Sequence, residues 1–228
     1  MRNERYFNFP IKFLKGFLTN SRECLDGIID YAVYSRFMIE TGTKAERLVD
    51  CEEYFGIKIG NKNKTYLHGK ELYESRDIMP VMVGINTETF FKYYENDKSE
   101  FEKVCLLGFL AIKSILGKKP YCKIDNKYWL ARMDGKAKSC DKTELSNEIK
   151  KYANLYQARK IKSALVDSWN LKTYSYYTRG FYVSFELDLD DLSYQAEKRK
   201  KSNRDKLRKD AEKLSRKRAL AKLFTSQP

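Results

Sequence analysis

The segment from Leu171 to Leu187 constrains the fold more than any other part of the sequence, because its second half alternates with a period of two. After Gly180, the side chains on one side are Phe181, Val183, Phe185 and Leu187, and those on the other are Tyr182, Ser184 and Glu186. This pattern predicts a half-buried strand. The preceding residues are β-branched and aromatic, and Thr178-Arg179-Gly180 places a glycine where a three-residue connection needs a positive φ. The sequence therefore predicts a β-hairpin with Arg179 at its tip.

An amphipathic helix is predicted immediately before this hairpin, from Tyr152 to Trp169. Its apolar side consists of Tyr152, Leu155, Ala158, Ile161, Leu165 and Trp169, and its opposite side carries Gln157, Arg159, Lys160, Lys162 and Ser163. One side can pack against a core while the other presents cations and an amide. This is the arrangement that a helix needs in order to enter a major groove.

The segment before this helix shows two further helices with a strand between them. Ser99 and Glu102 form a capping box, and a helix with one apolar face then runs to Gly117. Residues 121–124 suit a short strand, and Asp125 can cap a helix that ends near Gly135.

This order of helix, short strand, helix, amphipathic helix and hairpin resembles the winged helix-turn-helix superfamily over residues 99–188. The resemblance implies that the helix ending at Trp169 reads the major groove and that Arg179, with Lys172, contacts phosphates. The stretch from Gly135 to Tyr152 is longer than the usual turn of that superfamily. Either it contains an extra helix, or the second helix is the segment 145–154.

The formal net charge of +14 at pH 7 indicates a polyanionic partner. From Tyr194 to Pro228 there are 13 basic and four acidic residues, so this tail carries nine of those charges. Leu207, Ala211 and Leu214 form only a thin apolar stripe, which predicts a flexible arm that becomes ordered on a partner. A merely solubilising tail is the alternative.

The expected fold class is mainly α with a small β-hairpin. We expect residues 1–95 to form a helical N-terminal domain in which no motif indicates a role. The resemblance implies a winged helix-turn-helix domain over 96–190, and we expect 191–228 to form a basic, partly helical or flexible tail. The helical periodicity of the first domain is clearest from Cys24 to Met38 and from Ala45 to Phe55.

The expected nucleic-acid contacts combine the helix, the hairpin and the tail. They are Gln157, Arg159, Lys160, Ser163, Lys172, Tyr174, Tyr176, Arg179, Lys198, Arg199, Lys200, Lys201, Arg204 and Arg208. Tyr174 and Tyr176 are the hairpin tyrosines proposed to stack on bases, whereas at least half of the hairpin tyrosines are expected to pack across the strands.

Signals for catalysis, metals and membranes are weak. The five cysteines include no C-x-x-C pair, and the one histidine, His68, has no neighbouring partner in the sequence. The acidic residues 186–191 could hold Mg²⁺, but capping of a following helix by Asp190 or Asp191 is the simpler explanation. Nucleotide-binding and hydrolase motifs are absent from the sequence. We expect no enzymatic activity, no cofactor, no metal, no membrane association and a cytoplasmic location.

The sequence thus predicts a non-enzymatic protein that binds duplex DNA, as a transcriptional regulator or as a replication-initiation protein of a plasmid or phage. Two alternatives stay open, namely an RNA-binding protein and a protein-interaction or structural module with an acidic partner. The sequence also leaves open a homodimer or a protein partner.

Overall fold

The computed structural model describes residues 5–175 and 180–225, and this part of the chain contains nine α-helices and five β-strands. The elements are β1 (Tyr6–Pro10), α1 (Ser21–Phe37), α2 (Lys44–Phe55), α3 (Lys62–Glu74), β2 (Met82–Asn86), α4 (Thr87–Tyr94), α5 (Glu100–Leu116), β3 (Cys122–Ile124), α6 (Asn126–Met133), α7 (Asn147–Lys150), α8 (Leu155–Ser168), β4 (Lys172–Tyr174), β5 (Phe181–Ser184) and α9 (Leu189–Thr225). The predicted class, mainly α with a small β component, is confirmed.

The N-terminal half holds a two-stranded antiparallel sheet that the sequence did not reveal. Strand β1 pairs with β2 so that Phe7 lies opposite Ile85 and Phe9 opposite Val83. These four side chains are buried. Each strand is short and its partner is distant along the chain, so local periodicity predicted only helices here.

Helices α1 and α3 pack closely because a glycine lies at their crossing. A Cβ atom at Gly69 would lie 2.2 Å from the backbone oxygen of Asp30. Around this point the aromatic rings of α1 meet those of α3, with the ring centroids of Tyr34 and Tyr66 5.3 Å apart and those of Tyr31 and Tyr73 5.8 Å apart. The glycine lets the backbones approach, and the rings fill the space on either side.

Helix α5 is the central helix of the core, and its predicted boundaries are confirmed. The Ser99 side chain accepts a hydrogen bond from the Glu102 backbone N–H, the Glu102 carboxylate accepts one from Ser99, and Gly117 follows the helix. The indole N–H of Trp129 on α6 donates to the Gly108 carbonyl at 3.0 Å. Since α5 contacts β2 as well as α6 and α8, one apolar core runs across the predicted domain boundary near residue 95.

The predicted hairpin belongs to a three-stranded antiparallel sheet with the order β3-β5-β4. In the register of this sheet, Val183 lies between Cys122 on β3 and Thr173 on β4. The prediction of a half-buried strand is wrong for β5, because all of its residues are buried. Phe181 and Val183 face the main core, whereas Tyr182 packs with Leu192 and Ala196 of α9 on the other side.

The described part of the tail is a helix that begins on the sheet, which agrees with the helical alternative for this segment and not with the flexible arm. The Asp188 carboxylate accepts the Asp191 backbone N–H at 2.7 Å, so Asp188 is the cap that we had assigned to Asp190 or Asp191. The first turns are held by Leu192 and Ala196, and the helix then continues to Thr225 without glycine or proline. The apolar stripe of Leu207, Ala211 and Leu214 does not indicate this helix, because the residues that anchor it, Leu192 and Ala196, lie before the basic segment.

We predict that Gly69→Ala destabilises the protein, because the new methyl group must displace the α1 backbone. The free energy of unfolding should fall by about 1–3 kcal/mol in urea denaturation. Gly60→Ala is the control, since a Cβ atom there meets nothing within 4 Å, and its effect should stay within about 0.5 kcal/mol. Equal stability of the two variants would contradict the close packing of α1 and α3.

We also predict that Leu192→Ala loosens α9 from the sheet. Leu192 is 0% exposed, and its truncation should lower the free energy of unfolding by about 2–5 kcal/mol. Leu207, on the same helix, is 68% exposed, so Leu207→Ala should change it by at most about 0.5 kcal/mol. If both variants unfold at the same urea concentration as the parent, α9 does not dock as described.

Candidate nucleic-acid interface

Helix α8 begins later than predicted. Asn154 caps it by accepting the Gln157 backbone N–H at 2.9 Å, so the helix starts at Leu155 and not at Tyr152. The Tyr152 hydroxyl instead donates to the Glu100 carboxylate at 2.9 Å and ties this segment to the start of α5. Leu155, predicted to face the core, is 68% exposed. The buried face consists of Ala158, Ile161 and Leu165.

The exposed face of α8 begins with a tyrosine that the sequence argument missed. Tyr156 is 72% exposed, and Arg159 and Ser163 follow it at helical spacing on the same side. Lys160 is also exposed, and its ammonium lies 4.6 Å from the centroid of the Phe101 ring. Gln157 is half-buried beside them. The helical spacing from Arg159 could have identified Tyr156 from the sequence alone.

Lys162 belongs to the packing of the sheet and not to this exposed face. Its ammonium lies 4.2 Å from the centroid of the Phe181 ring on β5. Burial, and then the positive charge of Arg159, lower the pKa of Lys162. This contact places α8 beside the same face of β5 that Phe181 and Val183 present to the core.

The long connection between α6 and α8 is folded, and its helix α7 lies within the segment 145–154, so both predicted alternatives stay open. The one-turn helix α7 is attached through Asp134, which is buried and accepts the Ser146 backbone N–H at 3.0 Å. The Lys136 ammonium lies 3.6 Å from the same carboxylate. A groove of about 580 Å³ separates α6 from the start of α8 and is lined by Asn126, Leu130, Leu145 and Leu155 among others.

The hairpin residues of the predicted site point away from α8. Paired residues on neighbouring strands share a face, so Lys172 lies with Ser184, and Tyr174 with Tyr182, on the side covered by α9. The Tyr174 hydroxyl donates to the Glu197 carboxylate at 3.0 Å, and the Lys172 ammonium donates to the Asn170 side chain at 2.9 Å. Tyr174 therefore links the hairpin to α9.

The hairpin tip is described only at its last residue, because Tyr176 and Arg179 lie outside the described residues. Gly180 has a φ of +93°, as the sequence predicted. A Cβ atom there would lie 2.6 Å from the Ile124 carbonyl oxygen. Glycine is therefore required both by the backbone angle and by the close approach to β3.

The buried Ser184 shows how the end of β5 is fixed. Its hydroxyl donates to the Pro120 carbonyl at 2.7 Å and accepts the backbone N–H groups of Glu186 and Leu187 at 3.0 and 2.8 Å. A buried hydroxyl costs little when its donor and acceptor capacities are used in this way. These bonds set the turn from β5 into α9.

The sheet divides the predicted contacts into two groups. Gln157, Arg159, Lys160 and Ser163 lie on α8, which packs on the core side of β5. The remaining described residues lie on the other side or on α9, namely Lys172, Tyr174, Lys198, Arg199, Lys200, Lys201, Arg204 and Arg208. Among these predicted contacts on α9, Lys200 is half-buried and the other five cations are exposed. A partner that touches both groups must reach around the sheet.

His68 has a partner that the sequence did not indicate. Its Nδ1 atom lies 2.8 Å from the Asp30 carboxylate, in a groove of about 680 Å³ between α1, α3 and α4. In the same groove the Arg22 guanidinium lies 3.5 Å from the centroid of the Tyr94 ring, and the Tyr94 hydroxyl donates to Asp26 at 2.7 Å. These polar groups satisfy one another, which favours a structural role for the cluster.

Over residues 5–175 and 180–225, no group of three or more histidine, cysteine, aspartate or glutamate side chains is arranged to hold a metal ion. None of the helices in that part of the chain combines the length and apolarity needed to cross a membrane.

Comparison with known proteins returned no matching family model, no matching curated protein and no matching solved structure.

Proposed function

We propose that this protein is a non-enzymatic DNA-binding protein in which α8 enters the major groove of a duplex. The observation that carries the proposal is the two-sided character of α8. Ala158, Ile161 and Leu165 are buried, while Tyr156 and Arg159 stand exposed near its first turns. A helix fixed along one side, with its N-terminal part free, suits insertion into a groove about 12 Å wide.

The order of elements around α8 supports the same proposal. From α5 onward the chain forms a helix, strand β3, α6, the short α7, α8 and then the pair β4 and β5. Strand β3 joins the hairpin through β5, so the three strands form one sheet beside α8. This is consistent with the winged helix-turn-helix organisation that the sequence resembles, with α7 as an insertion before the third helix.

The chemistry of the exposed side chains suggests how bases would be recognised. The Arg159 guanidinium can donate two hydrogen bonds to guanine, and Gln157 and Ser163 can bond to base edges or phosphates. Lys160, at the edge of the face, would contact a phosphate. Transcriptional regulation and plasmid or phage replication initiation both need such a surface, and the proposal covers both.

RNA binding is the second candidate, and Tyr156 is the residue that favours it. An aromatic ring that is 72% exposed can stack on an unpaired base. The hairpin tyrosine Tyr174 gives less support, because its hydroxyl is bonded to Glu197 and its ring packs against α9.

We predict that Arg159→Ala combined with Lys160→Ala lowers the preference for a specific duplex. A site is first selected from a random duplex library at moderate salt, and the selected and random duplexes then compete for the protein. Losing one bidentate contact of about 1–3 kcal/mol should reduce the preference by about 5- to 150-fold.

Lys118→Ala combined with Lys119→Ala is the matched control, since it removes the same charge just beyond the far end of α5, and the helix extends about 22 Å from Phe101 to Leu116. The control should retain the preference. Equal loss in both variants would contradict base recognition by α8. Better competition by single-stranded RNA would favour the second candidate, and no enrichment of any nucleic acid would favour a protein partner.

A further inference from the structure

The part of α9 beyond the sheet is a projecting basic helix. From residue 201 to 217 every side chain is exposed. The stretch from Lys198 to Lys217 extends about 30 Å at 1.5 Å per residue. Eleven basic and three acidic residues lie within it. The repulsion among these closely spaced cations is reduced by counterions from solvent or by an anionic partner.

The charges of this helix are sorted by side. At about 100° per residue, seven cations fall within an arc of about 100°. This basic face consists of Lys198, Arg199, Lys206, Lys209, Lys213, Arg216 and Lys217, with Ser202 among them. The acidic residues Asp205, Asp210 and Glu212 all lie outside the arc, and the Glu212 carboxylate lies 3.6 Å from Arg208 on another side of the helix.

The body of the protein leaves this face open. Leu207, Ala211 and Leu214 continue the side by which Leu192 and Ala196 pack onto the sheet. The centre of the basic face is turned by about 110° from that side. A membrane that binds Leu207, Ala211 and Leu214 would have to approach from the side on which the sheet lies. A long polyanion such as a duplex can instead lie along the basic face.

Like charges repel one another along the basic face. Lys206, Lys209 and Lys213 follow one another at spacings of three and four, and like charges at these spacings destabilise a helix. Asp205 and Asp210 lie four residues from Lys209 and Lys206, respectively, and offset part of this repulsion. A second copy of the helix would add further repulsion. Phosphates along the face would offset the remaining repulsion, since each strand of a duplex carries one phosphate about every 3.4 Å of helix axis.

We propose that the basic face of α9 binds the phosphate backbone of duplex DNA without regard to sequence, as a second contact on the opposite side of the sheet from α8. The inference rests on the proposed function and assigns to α9 a partner and a defined set of side chains. Of the tail residues expected from the sequence, Lys198 and Arg199 belong to this face, whereas Lys200, Lys201, Arg204 and Arg208 lie on other sides of the helix.

The test compares two triple variants of the full chain that remove equal charge from the same helix. Lys206→Gln, Lys209→Gln and Lys213→Gln alter the basic face, whereas Lys201→Gln, Arg204→Gln and Arg208→Gln alter other sides. Glutamine is a good helix former, so both variants should keep the helix, which circular dichroism checks. Binding to a random-sequence duplex is measured over a series of salt concentrations.

The basic-face variant should lower the slope of log K against log salt by about 2–3, since each lost phosphate contact removes about 0.9. The control variant should lower it by less than about 1. Equal slopes in the two variants would overturn the inference, because the positive charge would then act in the same way from every side of the helix. Tighter binding to single-stranded RNA or to anionic lipid vesicles than to the duplex would overturn it as well.

The proposed function fails separately. Suppose that the α8 double variant keeps the preference for the selected site while the basic-face variant lowers the slope of log K against log salt as expected. Then α8 does not read bases, and the inference about α9 stands. If the α8 variant loses the preference and the two triple variants have equal salt slopes, the proposed function of α8 stands and the inference about α9 is wrong. A parent protein that binds no duplex at all overturns both.

Discussion

Strand β5 is buried on both faces, and the second half of the molecule is organised around it. Phe181 and Val183 close the core beneath α5 and α8, and Tyr182 receives the first turns of α9. A four-residue strand cannot hold two helices through its own hydrogen bonds alone. The apolar contacts on its two faces and the bonds of Ser184 at its end fix where α8 and α9 lie relative to each other.

Much of the fold could be predicted from local patterns. The capping box at Ser99, the alternation after Gly180 and the buried periodicity of α8 each depend on residues within a few turns of one another. The pairing of β1 with β2 could not be predicted in this way, because the local sequence of each strand does not indicate which distant strand it pairs with. The covering of Tyr182 by Leu192 was missed for the same reason, since alternation alone assigns a tyrosine to the solvent side.

The candidate interface was predicted less completely than the fold. Arg159, Lys160 and Ser163 are exposed on α8 as expected, and so is Tyr156, which the sequence analysis does not name. Sequence proximity suggested that the hairpin and α8 form one surface. Strand pairing instead places Lys172 and Tyr174 on the side of α9, a fact that depends on which residues lie opposite one another across the sheet.

The bond between Tyr174 and Glu197 gives the long helix a fixed direction. Helix α9 runs for 37 residues, and a tilt of about 10° at its root would carry its far end through about 10 Å, given 1.5 Å per residue. The Tyr174 hydroxyl, the Glu197 carboxylate and the hydrophobic cluster beside them hold the start of α9 on the hairpin. A small change in the angle of this attachment would therefore displace the charges at the far end of the helix by a much larger distance.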